Sequence, residues 1–142
     1  MLPYLRQYNI FISHAWAYDE QYQRLKELLL AAPYLKIVNY SAPKEKPLVP
    51  SENGLVSEFE LKSRITEKIR HSQAFLLISG MWVKYRSWVQ YEISEAKRMG
   101  KPIICIRPFA SQRVPADLET YADRIVGWST NSIVQAIRDL AQ

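Results

Sequence analysis

Residues 74–79 read AFLLIS and residues 86–93 read RSWVQYEI, and these two segments decide the fold. The first is apolar and short enough to form a strand that is buried on both faces of a sheet. The second predicts the start of a helix, because Ser87 and Gln90 form a capping-box pattern. In an open α/β sheet, such a helix begins at the carboxyl end of the preceding strand, where ligands bind. Glu92, about one turn into the helix, is therefore predicted to face a small molecule.

The spacing of apolar residues in this helix indicates which side packs on the sheet. Val89, Ile93 and Ala96 are three and four residues apart and predict the packed face. An adjacent stripe, expected to point partly away from the sheet, consists of Trp88, Glu92, Glu95 and Met99. A solvated Glu92 would gain from a cation four residues later, but Ala96 occupies that position. The alternative of an ordinary surface carboxylate stays open at this point, because exposed glutamates are common.

The remaining segments alternate between strand-like and helix-like patterns. Predicted strands cover residues 8–12, 35–39, 102–107 and 124–128. Predicted helices cover residues 19–32, 56 or 57 to 72, 116–121, and 131 or 132 to 140, and the helix of Glu92 ends near Met99, followed by Gly100. Residues 40–57 contain Pro43, Pro47 and Pro50 and are predicted to form a long loop. This alternation predicts one α/β domain, covering residues 1–142, with a parallel sheet.

Composition and charge limit the classes of function. The 142 residues suit a single domain, and an apolar fraction of 48% is ordinary for a globular protein. The net charge of +5 is compatible with an anionic ligand. However, the basic residues are dispersed among acidic ones, so nucleic acid is not an expected partner. No apolar run approaches the roughly 20 residues that cross a bilayer, and no secretory signal pattern begins the chain. A cytoplasmic protein without a membrane partner is expected.

The chain offers little for metal, thiol or phosphate-loop chemistry. Cys105 is the single cysteine, and its apolar surroundings predict a buried, unreactive thiol. His14 and His71 have no recognisable ligand spacing, so no metal site is predicted. Residues 13–17 contain no glycine, which disfavours a loop that cradles phosphate, as in flavin mononucleotide or P-loop proteins. Residues 74–79 contain no aspartate, which a receiver domain would need.

Three segments together resemble TIR domains, in particular the TIR-like family of Thoeris anti-phage defence systems. Residues 87–93, SWVQYEI, resemble the third-helix signature; residues 9–16, NIFISHAW, resemble the first strand and its loop; residues 100–104, GKPII, are similar to the entry into the fourth strand. The resemblance implies a flavodoxin-like three-layer fold, with a five-stranded parallel sheet of order 2-1-3-4-5 and helices on both faces. It also implies that residues 40–57 gate the site and contribute to assembly with other protomers.

In enzymatic TIR domains the glutamate at the position of Glu92 is the catalytic residue for NAD cleavage. The resemblance therefore implies NAD as the substrate, with no other cofactor. Departure of nicotinamide builds positive charge on the ribose, which an ionised carboxylate can stabilise. An apolar, aromatic surround strengthens this interaction by excluding water, and lets an internal hydroxyl capture the sugar to give a cyclic product. This ADP-ribose-derived signal would activate a separate effector in antiviral defence.

Further substrate-binding candidates lie near the predicted carboxyl ends of strands. Ser13 and His14 can hydrogen-bond ribose or phosphate, or can instead cap the next helix or settle the turn. Arg86 can meet the diphosphate together with the positive end of the Glu92 helix. The candidates for stacking on adenine or nicotinamide are Trp16, Tyr40, Trp82 and Trp88. Core packing or an oligomer contact is the alternative role for each of these aromatic residues.

Two other functions stay open. A non-enzymatic TIR scaffold would signal by assembling with other TIR domains through residues 40–57. A nucleoside-processing transferase would share the sheet type and also place a carboxylate at a ribose. Turnover of a deoxyribonucleoside in place of NAD would identify the transferase.

Overall fold

The computed structural model describes residues 7–13, 20–32, 36–39, 58–79, 86–107, 114 and 116–141. Within these ranges five strands alternate with five helices. The strands are β1 (Gln7–Ser13), β2 (Lys36–Asn39), β3 (Ala74–Ile78), β4 (Ile103–Arg107) and β5 (Arg124–Gly127). The helices are α1 (Glu20–Leu30), α2 (Glu58–Arg70), α3 (Arg86–Arg98), α4 (Ala116–Tyr121) and α5 (Thr130–Leu140). The predicted α/β class is confirmed.

The strands form one parallel sheet with the order β2-β1-β3-β4-β5. This is the five-stranded order that the TIR resemblance implies. The register aligns Ser13 with Leu77, and Leu77 with Cys105. Because side chains of aligned residues point to the same side of a sheet, these three residues share one face. The carboxyl ends of β1, β3 and β4 therefore meet at a common edge.

Helices cover both faces of the sheet. All five residues of β3 are buried, as predicted for a strand without a solvent-facing side. α1 contacts α5, and α2 contacts α3, so the helices form two groups that supply the two covers. On the sheet itself the rings of Phe11 and Phe75 stack with their centroids 5.6 Å apart. The predicted packed face of α3 is confirmed, because Val89, Ile93 and Ala96 are all buried.

Gly100 ends α3 with two backbone hydrogen bonds. Its φ of 70° lies in the left-handed region that favours glycine. The Lys101 N–H donates to the Ala96 carbonyl at 2.8 Å, and the Gly100 N–H donates to the Lys97 carbonyl at 3.1 Å. These bonds form a Schellman motif, which satisfies carbonyl groups that the helix leaves without a partner. The predicted role of Gly100 is confirmed.

Several element boundaries differ from the predictions. α3 begins at Arg86, so Ser87 lies inside the helix and the predicted capping box is wrong. α5 begins at Thr130 because the preceding residue, Ser129, caps it: the Ser129 hydroxyl accepts a 3.1 Å hydrogen bond from the Ser132 N–H. β5 ends at Gly127 instead of residue 128. The predicted loop at residues 40–57 lies outside the described residues. Within the described ranges, every helix is too short or too polar to cross a membrane.

Candidate active site

A serine and a glutamate meet at the carboxyl edge of the sheet. Ser13 is the last residue of β1, and Glu92 lies in the second turn of α3. The Ser13 hydroxyl donates a 2.5 Å hydrogen bond to Oε1 of Glu92. Ser13 is fully buried and Glu92 is only 2% exposed. This edge is where open α/β sheets bind their ligands, so the pair occupies the position expected of a functional site.

The position of Glu92 on α3 explains its burial. Glu92 is three residues after Val89 and four before Ala96, so it lies on the packed side of the helix with them. The expectation that Glu92 belongs to a stripe pointing partly away is therefore wrong. The reading of Glu92 as a solvated surface carboxylate is also wrong. The spacing of Glu92 from Val89 and Ala96 already fits the packed face. Its polarity favoured an exposed position, and this favoured the wrong prediction.

The surroundings of Glu92 change its affinity for a proton. Burial raises the pKa of the Glu92 carboxyl from 4.5 to about 8, and the hydrogen bond from Ser13 offsets part of this rise. The free protein at neutral pH therefore holds Glu92 mainly in its neutral form. A positive charge brought close by a ligand would favour the ionised form. Shifted carboxyl groups of this kind are concentrated at functional sites.

A polar network fixes α3 against α2. The Thr66 hydroxyl donates a 2.8 Å hydrogen bond to Oε1 of Glu95 and lies 2.6 Å from the Tyr91 hydroxyl. The Tyr91 hydroxyl also donates to the Lys62 carbonyl at 3.2 Å. Arg98 donates two hydrogen bonds to Glu95, of 2.9 and 3.0 Å. Because Tyr91 and Glu95 flank Glu92 in α3, this network also sets the position of Glu92.

A second set of polar atoms at the same edge was not predicted. Ser79 directly follows β3 and is 2% exposed, and Arg107 is the last residue of β4. Among the described residues, neither the Ser79 hydroxyl nor the Arg107 Nε has a hydrogen-bond partner, although both atoms are buried. Finding them requires the register of β3 on β4, which the sequence does not specify.

The other predicted substrate-binding residues have different outcomes. Trp88 is half-buried and packs against the core, in line with its alternative role. Only the backbone of Arg86 is described, at the start of α3. The predicted residues that lie outside the described part of the chain are His14, Trp16, Tyr40 and Trp82. Their roles stay predictions.

The described residues give no sign of metal or thiol chemistry. They contain no group of three His, Cys, Asp or Glu side chains that could hold a metal ion. Cys105 is fully buried, and this burial raises the pKa of its thiol to about 12, with a smaller opposing effect from Arg107. The prediction of a buried Cys105 is confirmed, and so high a pKa leaves almost no thiolate at neutral pH. A groove of about 380 Å³ lies between α2 and α3, where Phe59, Thr66 and Tyr91 line it.

The fold and the Ser13–Glu92 pair define the class of this protein: an α/β domain with a buried carboxyl group at the carboxyl edge of its parallel sheet, where such domains bind ligands. The sequence profile of the family described as Thoeris protein ThsB, TIR-like domain, matches residues 11–113. The chain belongs to this family, which confirms the resemblance. No curated protein matches the chain. The solved structure of the CMP N-glycosidase BcmB from Clostridium botulinum is similar, with a TM-score of 0.51 and 14% identity. The similarity covers 92% of this chain and 98% of that chain, and shows a shared fold.

Proposed function

We propose that this protein cleaves the bond between nicotinamide and ribose in NAD, with Glu92 as the catalytic residue. The observation that carries the proposal is the buried Ser13–Glu92 hydrogen bond at the carboxyl edge of the sheet. A buried carboxyl group with a single polar contact among the described residues is costly to keep for packing alone. Membership in the Thoeris TIR-like family supports the same assignment.

The proposed chemistry needs one well-placed carboxylate. As the glycosidic bond breaks, its electron pair goes to the nicotinamide nitrogen, which becomes neutral, and positive charge develops on the ribose. Ionised Glu92 stabilises that charge, and the dry surroundings strengthen the attraction. Ser13 holds one carboxylate oxygen in place and leaves the other for the sugar. The nicotinamide ring of NAD is itself cationic, so substrate binding favours the ionised form of Glu92.

The product we propose is a cyclic ADP-ribose derivative. A hydroxyl of the substrate attacks the cationic sugar carbon and passes its proton to Glu92 and on to solvent, which closes a ring without adding water. Such a product would act on a separate effector protein in anti-phage defence, in the cytoplasm. The support for this step is the family membership. Assembly with other protomers would complete or activate the site.

A second candidate is hydrolysis of a nucleoside monophosphate at its glycosidic bond. The fold shared with a CMP N-glycosidase supports it, and the same carboxylate would serve at the same ribose carbon. A nucleoside transferase uses the same chemistry with a second base as the acceptor. These candidates differ from the first in substrate and in the group that accepts the sugar, so a substrate panel separates them.

The test compares the wild-type protein with Glu92→Gln, which keeps the shape of the side chain and cannot ionise. Each protein is incubated with NAD, CMP or deoxycytidine, and the released base is measured by chromatography. A parallel measurement follows NAD and product masses in cells during phage infection, where activation is available. Glu119→Gln, an exposed change in α4, serves as the matched control.

We expect the wild type and Glu119→Gln to release nicotinamide, and Glu92→Gln to be slower by at least about 100-fold. Equal consumption of NAD by the wild type and Glu92→Gln would contradict the role of Glu92. Release of cytosine with NAD intact would favour the second candidate. Assembly in infected cells with no turnover of any nucleotide would favour a scaffold.

A further inference from the structure

The buried polar atoms of Ser79 and Arg107 belong to neighbouring positions at the carboxyl edge. Ile78 aligns with Ile106, and the next residues of the two segments are Ser79, which is helical and directly follows β3, and Arg107, the last of β4. Within the described part of the chain, the Ser79 hydroxyl and the Arg107 Nε lack hydrogen-bond partners. A buried polar group without a partner costs about 1 to 3 kcal/mol, and native proteins keep few of them. Two such atoms, each in the residue directly after one of the paired residues Ile78 and Ile106, leave hydrogen-bonding capacity that a ligand can use.

Arg107 lies on the same side of the sheet as Ser13, the hydrogen-bond partner of Glu92. Ser13, Leu77 and Cys105 form one row across the sheet, and Arg107 is two residues beyond Cys105, so it points to the same side. From strand spacing and rise, the Cα atoms of Ser13 and Arg107 are separated by roughly 12 Å. An arginine side chain and a ribose phosphate can together span that distance.

The position beside Arg107 on β5 carries no side chain. This position is Gly127, and a Cβ atom built there would meet no atom of the described residues within 4 Å. The Arg107 guanidinium offers N–H donors in a planar fork that suits phosphate. A hydroxyl beside it adds one more donor.

We propose that Arg107 and Ser79 form a phosphate subsite that holds the phosphate group of the nucleotide while Glu92 acts on its ribose. This assignment rests on the proposed function, because it takes the ligand of that site to be a nucleotide. Arg107 supplies charge and the Nε–H donor, and Ser79 donates its hydroxyl. Neither residue takes part in bond breaking, so both act by binding and positioning.

The first experiment titrates the protein with inorganic pyrophosphate and follows arginine Nε–H signals by NMR. Loss of one signal in Arg107→Lys assigns Arg107. We expect the Arg107 signal to shift on titration. Calorimetry then compares pyrophosphate, ADP-ribose and adenosine binding to the wild type and Arg107→Gln. Arg124→Gln is the matched control, because Arg124 starts β5 at the opposite edge and pairs with Asp139.

Arg107→Gln should weaken pyrophosphate and ADP-ribose binding by about 10- to 100-fold and leave adenosine binding unchanged. Arg124→Gln should change none of the three. Ser79→Ala should weaken both phosphate ligands while leaving stability equal or higher, because it removes an unpaired buried hydroxyl. A residue that served only the fold would show the opposite pattern, with lower stability and unchanged binding.

Absence of a pyrophosphate-induced shift at Arg107, or equal ADP-ribose affinity in the wild type and Arg107→Gln, overturns the subsite. Such a result leaves the proposed function intact if the wild type still releases nicotinamide and Glu92→Gln does not. Conversely, the subsite stands and the proposed function fails if Arg107 binds pyrophosphate while no base is released from NAD.

Discussion

The Ser13 hydroxyl and the Glu92 carboxyl are joined by a 2.5 Å hydrogen bond that links the end of β1 to α3. The serine donates, so the bond is strongest when the carboxyl group is ionised. Ser13 therefore does two things for Glu92: it fixes the orientation of one oxygen, and it favours the form that can stabilise a cationic sugar. In the terms of the proposed reaction, Ser13 is a positioning residue.

Replacing Ser13 by alanine should move the pH dependence of catalysis. In the wild type, kcat/KM should rise as pH increases and level off above about 8, because the ionised form of Glu92 is the active one. Ser13→Ala removes the interaction that lowers this pKa, so its profile should shift to higher pH, with kcat/KM near pH 7 lower by about 10- to 100-fold. Ser13→Thr keeps the hydroxyl and should keep the wild-type profile. An unshifted Ser13→Ala profile would remove Ser13 from this role.

Replacing Glu92 by glutamine should change how stability depends on pH. The folded protein keeps the Glu92 proton up to pH about 8, whereas the unfolded chain loses it near 4.5. The folded state thus binds more protons in that window, and wild-type stability should fall as pH rises through it. Glu92→Gln has no such loss, so near pH 8 it should be more stable than the wild type by about 2 kcal/mol or more, since one pKa unit corresponds to about 1.4 kcal/mol.

Urea unfolding at about pH 5 and about pH 8 measures the difference, and the two proteins should be much closer at the lower pH. Glu119→Gln, on the exposed side of α4, controls for removal of one negative charge. A stability gain of Glu92→Gln that is the same at both pH values would show that Glu92 is not held with its proton.

Replacing Thr66 by valine should loosen the attachment of α3 to α2. The change keeps the shape of the side chain but removes its hydrogen bond to Glu95 and its 2.6 Å polar contact with the Tyr91 hydroxyl. We expect the free energy of unfolding to fall by about 1 to 2 kcal/mol. Thr120→Val is the control, because Thr120 is exposed and its hydroxyl donates to the Ala116 carbonyl of its own helix; its effect should stay within about 0.5 kcal/mol. Equal stabilities of the two variants would argue against the network.

Replacing Gly100 by alanine should destabilise the protein through the backbone alone. At φ 70° an alanine is strained, but its Cβ would meet no atom of the described residues within 4 Å. The expected cost is about 1 kcal/mol, seen as a lower melting temperature. Gly127→Ala provides the comparison, since Gly127 also has open space around it and no positive φ. If Gly127→Ala lowers the melting temperature as much as Gly100→Ala, the positive φ of Gly100 is not the cause of its effect.

The features that follow from local patterns were predicted well. Apolar runs located the buried strands, and a glycine after the last apolar position of α3 located its C-terminal cap, because both depend on neighbours along the chain. Features that depend on distant partners were missed. Glu92 is buried because α3 packs its inner face on the sheet, and Arg107 and Ser79 reach the same edge only because β3 pairs with β4. The capping pattern at Ser87 failed because the helix starts one residue earlier.

The distance along the chain between the two members of the Ser13–Glu92 pair has a consequence for the living cell. Ser13 and Glu92 are 79 positions apart, so a ribosome must release most of the domain before they can meet. A partly synthesised or unfolded copy cannot hold a shielded acid at the edge of a sheet. If the proposed activity is correct, such copies would not consume NAD, and only fully folded chains could lower its concentration in the cell.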